Sequence, residues 1–121
     1  MNKTTLIIGA SHKPDRYANK AQKALTEAGH EVIPFNPRGG EIEGVEVRSD
    51  LSNVTEDVDT VTLYVRPSVL EDMVPTLIDL NPRRVIFNPG TEHEGLELKF
   101  VEAGIKVSEA CTLVMLNTGE Y

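Results

Sequence analysis

A short segment near the start of the chain combines the residue types that bind phosphate. An apolar run over residues 6–8 stops at Gly9, and the small residues Ala10 and Ser11 follow it. Lys13 and Arg16 follow in the same loop, directly before a helical pattern. A strand, a tight turn and a helix N-terminus present backbone N–H groups and the positive end of a helix dipole, which favour an anion. The two cations add fixed charge there. The segment therefore predicts a site for a ligand that carries phosphate.

The elements that position this loop follow from the pattern of apolar residues. Five apolar runs predict strands, at residues 6–8, 31–35, 60–65, 84–87 and 105–107. Helical patterns separate them, which implies parallel strands, right-handed crossovers and an α/β fold built as a three-layer, Rossmann-like sandwich. Because a phosphate-type loop follows the first strand, we expect a five-stranded sheet in the order 3-2-1-4-5. We expect residues 1–121 to form a single domain.

The helices can be placed in the same way. Their spacing predicts helices over about residues 16–28, 68–80 and 91–104, with a last turn or short helix over residues 113–116. Capping-box spacing occurs in two pairs, Ser68 with Glu71 and Thr91 with Glu94. Pro67 is an alternative start for the second helix, and Pro75 predicts a kink or restart within it. Residues 41–57 are expected to form a connection with minor structure.

The ends of the predicted strands limit the choice of ligand, because ligands bind beyond the carboxyl ends of parallel strands. The dinucleotide fingerprint requires three glycines in the first loop and an acid after the second strand. This chain has only Gly9 in the loop, and Asn36 followed by Arg38 after the second strand. A cation in place of the acid suits a phosphorylated ribose, which leaves NADP and coenzyme A. The missing glycines favour coenzyme A.

Three motifs together resemble a known family. They are Gly9-Ala10-Ser11-x-Lys13-Pro14-x-Arg16, Val32-Ile33-Pro34-Phe35-Asn36-Pro37 and Val65-Arg66-Pro67. In this order and spacing the chain resembles the small stand-alone coenzyme A-binding proteins. Those proteins are similar to the nucleotide-binding domain of the succinyl-CoA synthetase α subunit. The resemblance covers nearly the whole chain and implies a Rossmann-type domain whose cofactor is coenzyme A.

The resemblance also implies which residues contact the ligand. They are Gly9, Ala10, Ser11, Lys13 and Arg16 at the pyrophosphate, Asn36, Pro37 and Arg38 at the adenosine 3′-phosphate, and Val65, Arg66 and Pro67 along the adenine and pantetheine path. After the fourth strand, relatives often have an apolar-Gln-x-Gly run, whereas this chain has Phe87-Asn88-Pro89-Gly90. Asn88 keeps the amide on a side chain one methylene shorter, and we expect it at the far end of the ligand path.

The other chemistry-bearing side chains predict neither a catalytic nor a metal site. The three histidines, His12, His30 and His93, do not have the spacing of metal ligands. His12 lies in the phosphate loop, where backbone groups usually make the contacts. Succinyl-CoA synthetases use a phosphohistidine, but it belongs to a domain outside this resemblance, so we interpret His93 as a surface residue at a helix start. We interpret Cys111 as a small buried hydrophobe rather than a partner for the coenzyme thiol.

Composition and charge argue against several other classes. The net charge of −7 disfavours general binding to nucleic acid or to an anionic membrane surface. A single cysteine excludes an internal disulfide and fits a reducing cytosol. No apolar segment approaches the ~20 residues of a membrane-spanning helix, and the apolar run after Lys3 is too short for a secretory signal. We therefore expect a cytoplasmic protein without membrane contact.

Three kinds of function remain open. The first is a non-catalytic module that binds coenzyme A or an acyl-CoA in a regulatory or carrier role. The second is a small NADP-dependent or acyl-transfer enzyme that uses the same phosphate loop. The third is a module for a protein partner with a degenerate, empty site. Five strands and their loops leave little chain for a substrate domain, which favours the first. The sequence does not identify an acyl group, a protein partner or a homo-oligomer.

Overall fold

Five parallel strands form the central sheet of the computed structural model, which describes residues 2–121. In chain order the strands are β1 (Thr5–Ile8), β2 (Val32–Phe35), β3 (Glu41–Ile42), β4 (Val45–Glu46), β5 (Thr60–Leu63), β6 (Arg84–Phe87) and β7 (Lys106–Glu109), of which β3 and β4 form a separate antiparallel hairpin. The helices are α1 (Tyr17–Glu27), α2 (Pro67–Leu70), α3 (Val74–Asp79), α4 (Glu94–Glu102) and α5 (Thr112–Thr118). In the part of the chain described, none of them is long and apolar enough to cross a membrane.

The sheet is buried on both faces, which confirms the predicted α/β class. All four residues of β1 are buried. Leu6 and Ile8 join one hydrophobic core, and Ile7 joins another, because successive side chains of a strand point to opposite faces. The first core contains residues of α2, α3 and α4, whereas the second contains residues of α1 and α5. Helices therefore cover both faces of the sheet, as in the predicted three-layer arrangement.

The order of the strands corrects the prediction. The sheet runs β2-β1-β5-β6-β7, so the five predicted strands have the order 2-1-3-4-5 and not 3-2-1-4-5. The outer edge of β2 is already occupied by Arg48. Its N–H donates to the carbonyl of Pro34 at 2.9 Å, and its carbonyl accepts the N–H of Asn36 at 3.0 Å. Pro34 has no N–H for a longer ladder. β5 pairs with β1 instead, and the switch point lies between these two strands.

The second predicted helix is broken into two. The Ser68–Glu71 capping box does not form; α2 begins with Pro67 at its first turn, and no side chain caps it. A short 3₁₀ turn, Glu71–Met73, separates α2 from α3, and Pro75 lies in the first turn of α3. The predicted restart at Pro75 is therefore confirmed, because proline tolerates the first turn of a helix but not its interior.

The start of α4 also differs from the prediction. His93, rather than Thr91, caps the helix: its Nδ1 accepts the N–H of Leu96 at 3.1 Å. Glu97 completes the cap, since its Oε2 accepts the N–H of His93 at 3.1 Å. The hydroxyl of Thr91 instead donates to the carbonyl of Asn88 at 2.7 Å. His93 is exposed at a helix start, as predicted.

Candidate phosphate-binding site

A cavity of about 640 Å³ opens at the carboxyl ends of β1 and β2. Three parts of the chain line it: residues 9–13 and 16–18, which follow β1 and enter α1; residues 36 and 38–42, which follow β2 and enter the hairpin; and Tyr64, directly after β5. We call residues 9–16 the first loop and residues 36–40 the second loop. The segments meet here because the carboxyl ends of parallel strands lie at one edge of the sheet. The volume is in the usual range for a small-molecule site.

Gly9 allows the first loop to pass close to the end of β5. Its φ is +87°, in the left-handed region that favours glycine. A Cβ atom at Gly9 would lie 2.9 Å from the carbonyl oxygen of Tyr64 and 2.9 Å from Cγ1 of Val65. The backbones of β1 and β5 therefore approach each other at the switch point to a distance that only glycine permits.

The backbone donors of the first loop divide into two groups. The N–H groups of Gly9 and Ala10 both donate to the carbonyl of Phe35, at 3.2 Å and 3.0 Å. Those of Ser11 and His12 have no acceptor among residues 2–121. Gly9 and Ala10 thus shape the wall of the cavity, while the donors available to an anion belong to the next two residues.

Asn36 joins the two loops. Its Nδ2 donates to the carbonyl of Ala10 at 2.8 Å, and its Oδ1 accepts the N–H of Arg38 at 2.9 Å. Within the first loop, Ser11 Oγ accepts the N–H of Lys13 at 3.1 Å. The side chain of Asn36 is therefore occupied in fixing the second loop against the first, which holds Arg38 on the same side as Lys13.

Three cations line the cavity without a carboxylate partner. Lys13, Arg16 and Arg38 are exposed, and among the described residues none lies within 4.0 Å of an acidic oxygen. α1 begins directly after Arg16, and its first turn has neither a side-chain cap nor an acidic residue. One carboxylate, that of Glu41, also lines the cavity. Unpaired cations beside an uncapped helix N-terminus make the cavity suitable for an anion.

Tyr64 lines the cavity but was not among the predicted residues, although its chain neighbour Val65 was. Burial raises the pKa of Tyr64 to about 12, so the phenol keeps its proton at neutral pH. His12, to which no contact was assigned, also lines the cavity. Cys111 is half-buried at the start of α5 rather than fully buried. The position of Tyr64 at the end of the third predicted strand is the feature that could have identified it.

Five predicted contacts lie outside this cavity: Pro37, Val65, Arg66, Pro67 and Asn88. Pro67 lines a second cavity of about 400 Å³. The other residues that line it include Ser68 of α2, Lys99 of α4 and His93, which caps α4. Val65 lies against Gly9, between the two cavities along the chain. Apart from Pro37 and Asn88, the sequence-predicted residues therefore divide between the larger cavity and the segment that leads to the smaller one.

Asn88 is a structural residue at the place where a ligand contact was predicted. Its side chain is buried, and its Nδ2 donates to Thr62 Oγ1 at 2.7 Å and to the carbonyl of Leu63 at 2.9 Å. Its Oδ1 accepts the N–H of Thr112 at 3.0 Å. Both amide hydrogens are engaged, so Asn88 connects β5 and β6 to the start of α5 and offers no free donor to a ligand.

With this geometry established, comparison with known proteins assigns the class. The chain belongs to the family described as the CoA binding domain, whose family model matches residues 3–117. This confirms the resemblance to coenzyme A-binding proteins. A crystal structure described as that of an uncharacterized protein is 44% identical, with a TM-score of 0.95 over 100% of this chain and 99% of its own.

Two further relatives are informative about length. A protein from Thermus thermophilus has 34% identity and a TM-score of 0.88, over 98% of this chain and 90% of its own. The uncharacterized protein YneT of Bacillus subtilis (strain 168) is 34% identical over 79 residues, which are 62% of this chain and 58% of that protein. The match thus spans little more than half of YneT, whereas the two solved structures named here are similar over 99% and 90% of their own length.

Proposed function

We propose that this protein binds coenzyme A, or an acyl derivative of it, in the larger cavity. The observation that carries the proposal is the convergence of Lys13, Arg16 and Arg38, all without carboxylate partners among the described residues, on one cavity. The chain as a whole has a net charge of −7, so the local excess of cations contrasts with the rest of the molecule. A ligand with several phosphate groups is the natural complement of such a site.

The pyrophosphate is proposed to lie against the first loop. There the free N–H groups of Ser11 and His12, the ammonium of Lys13 and the uncapped start of α1 all favour negative charge. The 3′-phosphate is proposed to lie against Arg38, which the second loop presents on the opposite wall of the same cavity. The bond from Asn36 to Ala10 fixes the spacing between the two phosphate positions.

The rest of the ligand is proposed to follow the segment Val65–Pro67. Tyr64 lines the larger cavity and Pro67 lines the smaller one, so these residues connect the two. Three peptide links separate Tyr64 from Pro67, so the distance between their Cα atoms is at most about 11 Å. The pantetheine arm would pass Val65 and Arg66 and deliver an acyl group to the smaller cavity. Ser68, Glu71, His93 and Lys99 line that cavity, so its polar side chains suit an acyl group with a polar end.

The role is proposed to be regulatory or carrier rather than catalytic, within a single domain. The charged groups at the larger cavity are three cations and the carboxylate of Glu41, and Tyr64, whose pKa burial raises to about 12, is protonated at neutral pH. It therefore acts as a hydrogen-bond donor and not as a base. The competing candidate is an NADP-dependent enzyme, since Arg38 suits a ribose 2′-phosphate as well as a 3′-phosphate.

The test is a thermal-shift and calorimetry panel with coenzyme A, 3′-dephospho-coenzyme A, NADP and NAD. At a hundred times its Kd, a ligand stabilises the folded protein by about 2.7 kcal/mol. Coenzyme A should bind most tightly, and loss of the 3′-phosphate should weaken binding. A preference for NADP would replace the proposal with the enzyme alternative. Failure of all four ligands to bind would overturn it.

A further inference from the structure

Two fully buried amide side chains on α1 reach opposite walls of the larger cavity. Asn19 and Gln22 are three residues apart, on the same face of the helix, and both are 0% exposed. Nδ2 of Asn19 donates to the carbonyl of Ser11 in the first loop at 2.9 Å. Nε2 of Gln22 donates to the carbonyl of Ile42 in the hairpin at 3.0 Å. Ser11 and Ile42 both line the cavity.

These two amides are unfavourable for stability in one respect. The carbonyl oxygens of Asn19 and Gln22 are buried and have no hydrogen-bond partner among residues 2–121. A buried acceptor without a partner costs free energy. An apolar side chain of similar shape would remove that cost, but it would also take the amide donors away from the carbonyls of Ser11 and Ile42. What the two amides provide in return for their unpartnered oxygens is a pair of hydrogen bonds to opposite walls of the cavity.

The hairpin is a small element, held by the packing of Ile42 in the second core and by polar contacts from α1. Its strands have two residues each, and Glu41 lies directly opposite Glu46, which places like charges side by side. A two-stranded hairpin of this size is marginal without support. The other polar contact from α1 is the pair of Lys23 with Glu43 at 4.0 Å, where both side chains are 43% exposed. Exposed pairs contribute little, so Gln22 makes the buried polar contact from α1.

We propose that Asn19 and Gln22 are positioning residues for the ligand phosphates. Asn19 sets the first loop, where the pyrophosphate is proposed to bind, and Gln22 sets the hairpin that continues from the second loop. Arg38 lies four residues before Ile42 in the same segment, so discrimination for the 3′-phosphate depends on Gln22. The side chain of Gln22 is not among those lining the cavity, so it acts through the hairpin. This inference rests on the proposed function, because it assigns the two amides to two parts of the same ligand.

The test compares Gln22→Met with Lys23→Met, which removes the neighbouring exposed contact to the same hairpin. Calorimetry gives the Kd for coenzyme A and for 3′-dephospho-coenzyme A, and urea unfolding gives stability. For Gln22→Met, we expect the ratio of the Kd for 3′-dephospho-coenzyme A to the Kd for coenzyme A to fall by about fivefold or more. The urea midpoint shows that the variant is folded under the conditions of the titration. For Lys23→Met, we expect the wild-type ratio. A merely structural role would weaken both ligands by the same factor and leave this ratio unchanged.

Asn19→Leu provides the complementary measurement. It should weaken both ligands by the same factor and leave the ratio unchanged, because both carry the pyrophosphate; Asn19→Ala replaces it if the leucine variant does not fold. The inference is overturned if Gln22→Met keeps the wild-type ratio while the wild type binds both ligands. A wild type that binds neither ligand overturns the proposed function itself, and this inference with it.

Discussion

Replacing Gly9 with alanine should be one of the most damaging single-methyl additions in this protein. The left-handed φ of +87° costs an alanine about 1–2 kcal/mol. The added Cβ would also lie 2.9 Å from the carbonyl oxygen of Tyr64 and from Cγ1 of Val65. Such overpacking costs about 1–3 kcal/mol more, because a backbone oxygen cannot move aside as a side chain can. We therefore expect Gly9→Ala to lower the free energy of unfolding by about 2–5 kcal/mol.

Gly29→Ala is the matched control for this prediction. Gly29 has a φ of +89°, and no atom outside its immediate chain neighbours lies within 4 Å of the position that an alanine Cβ would take. The substitution should cost only the backbone strain, about 1–2 kcal/mol. Urea unfolding of both variants measures the difference, provided that the m-value stays constant. Equal losses in the two variants would show that the close approach of β1 and β5 does not constrain Gly9, and would refute the reasoning.

Three further predictions concern side chains. Lys13→Ala should weaken coenzyme A and 3′-dephospho-coenzyme A equally, by about 1.5–3 kcal/mol, whereas Arg38→Ala should weaken coenzyme A alone; equal effects of Arg38→Ala in calorimetry would contradict its assignment to the 3′-phosphate. Because burial raises the pKa of Tyr64 from its usual 10.0 to about 12, the native state holds this proton longer than the unfolded state. The free energy of unfolding should therefore fall by about 2–3 kcal/mol between pH 10 and 12. Tyr64→Phe should lose that part of the decline in urea unfolding at alkaline pH, and a profile equal to that of the wild type would contradict the raised pKa of Tyr64. The hydrogen bond from Arg48 lowers the pKa of Glu56 below its usual 4.5, so its contribution is present above that pH and is lost as pH falls further. Glu56→Gln should flatten the acid limb of the stability profile, and an acid limb as steep as that of the wild type would disprove this contribution.

The strands were predictable because parallel strands buried on both faces read as continuous apolar runs. Their order was not, because it depends on which edges remain free. Pro34 indicated irregular pairing in β2, but nothing in the local pattern showed that Arg48 would return to occupy its outer edge. Once that edge is occupied, β5 pairs with β1. The order thus follows from a contact between residues distant in the chain, which periodicity cannot show.

The positions of the first and second loops were predictable from composition, because glycine, asparagine and cations follow the ends of apolar runs. The hairpin beside the cavity was not predictable, since Ile42, Val45 and Val47 alternate with acidic residues in a segment too short to show a strong strand pattern. Asn88 was assigned to the ligand because its amide is the expected group at that position. Its hydrogen bonds connect the end of β6, where Asn88 lies, to β5 and to the start of α5. Only the folded structure shows that both hydrogens of its amide are used, one by Thr62 and one by Leu63.

The central claim is that an anionic ligand binds at the start of α1, and an NMR titration of the amide resonances with coenzyme A tests it most directly. We predict the largest chemical-shift changes at the N–H groups of Ser11 and His12, which have no acceptor among residues 2–121. Changes concentrated at the opposite edge of the sheet, around Thr5 and Arg84, would contradict the account. A spectrum that coenzyme A leaves unchanged would contradict it as well.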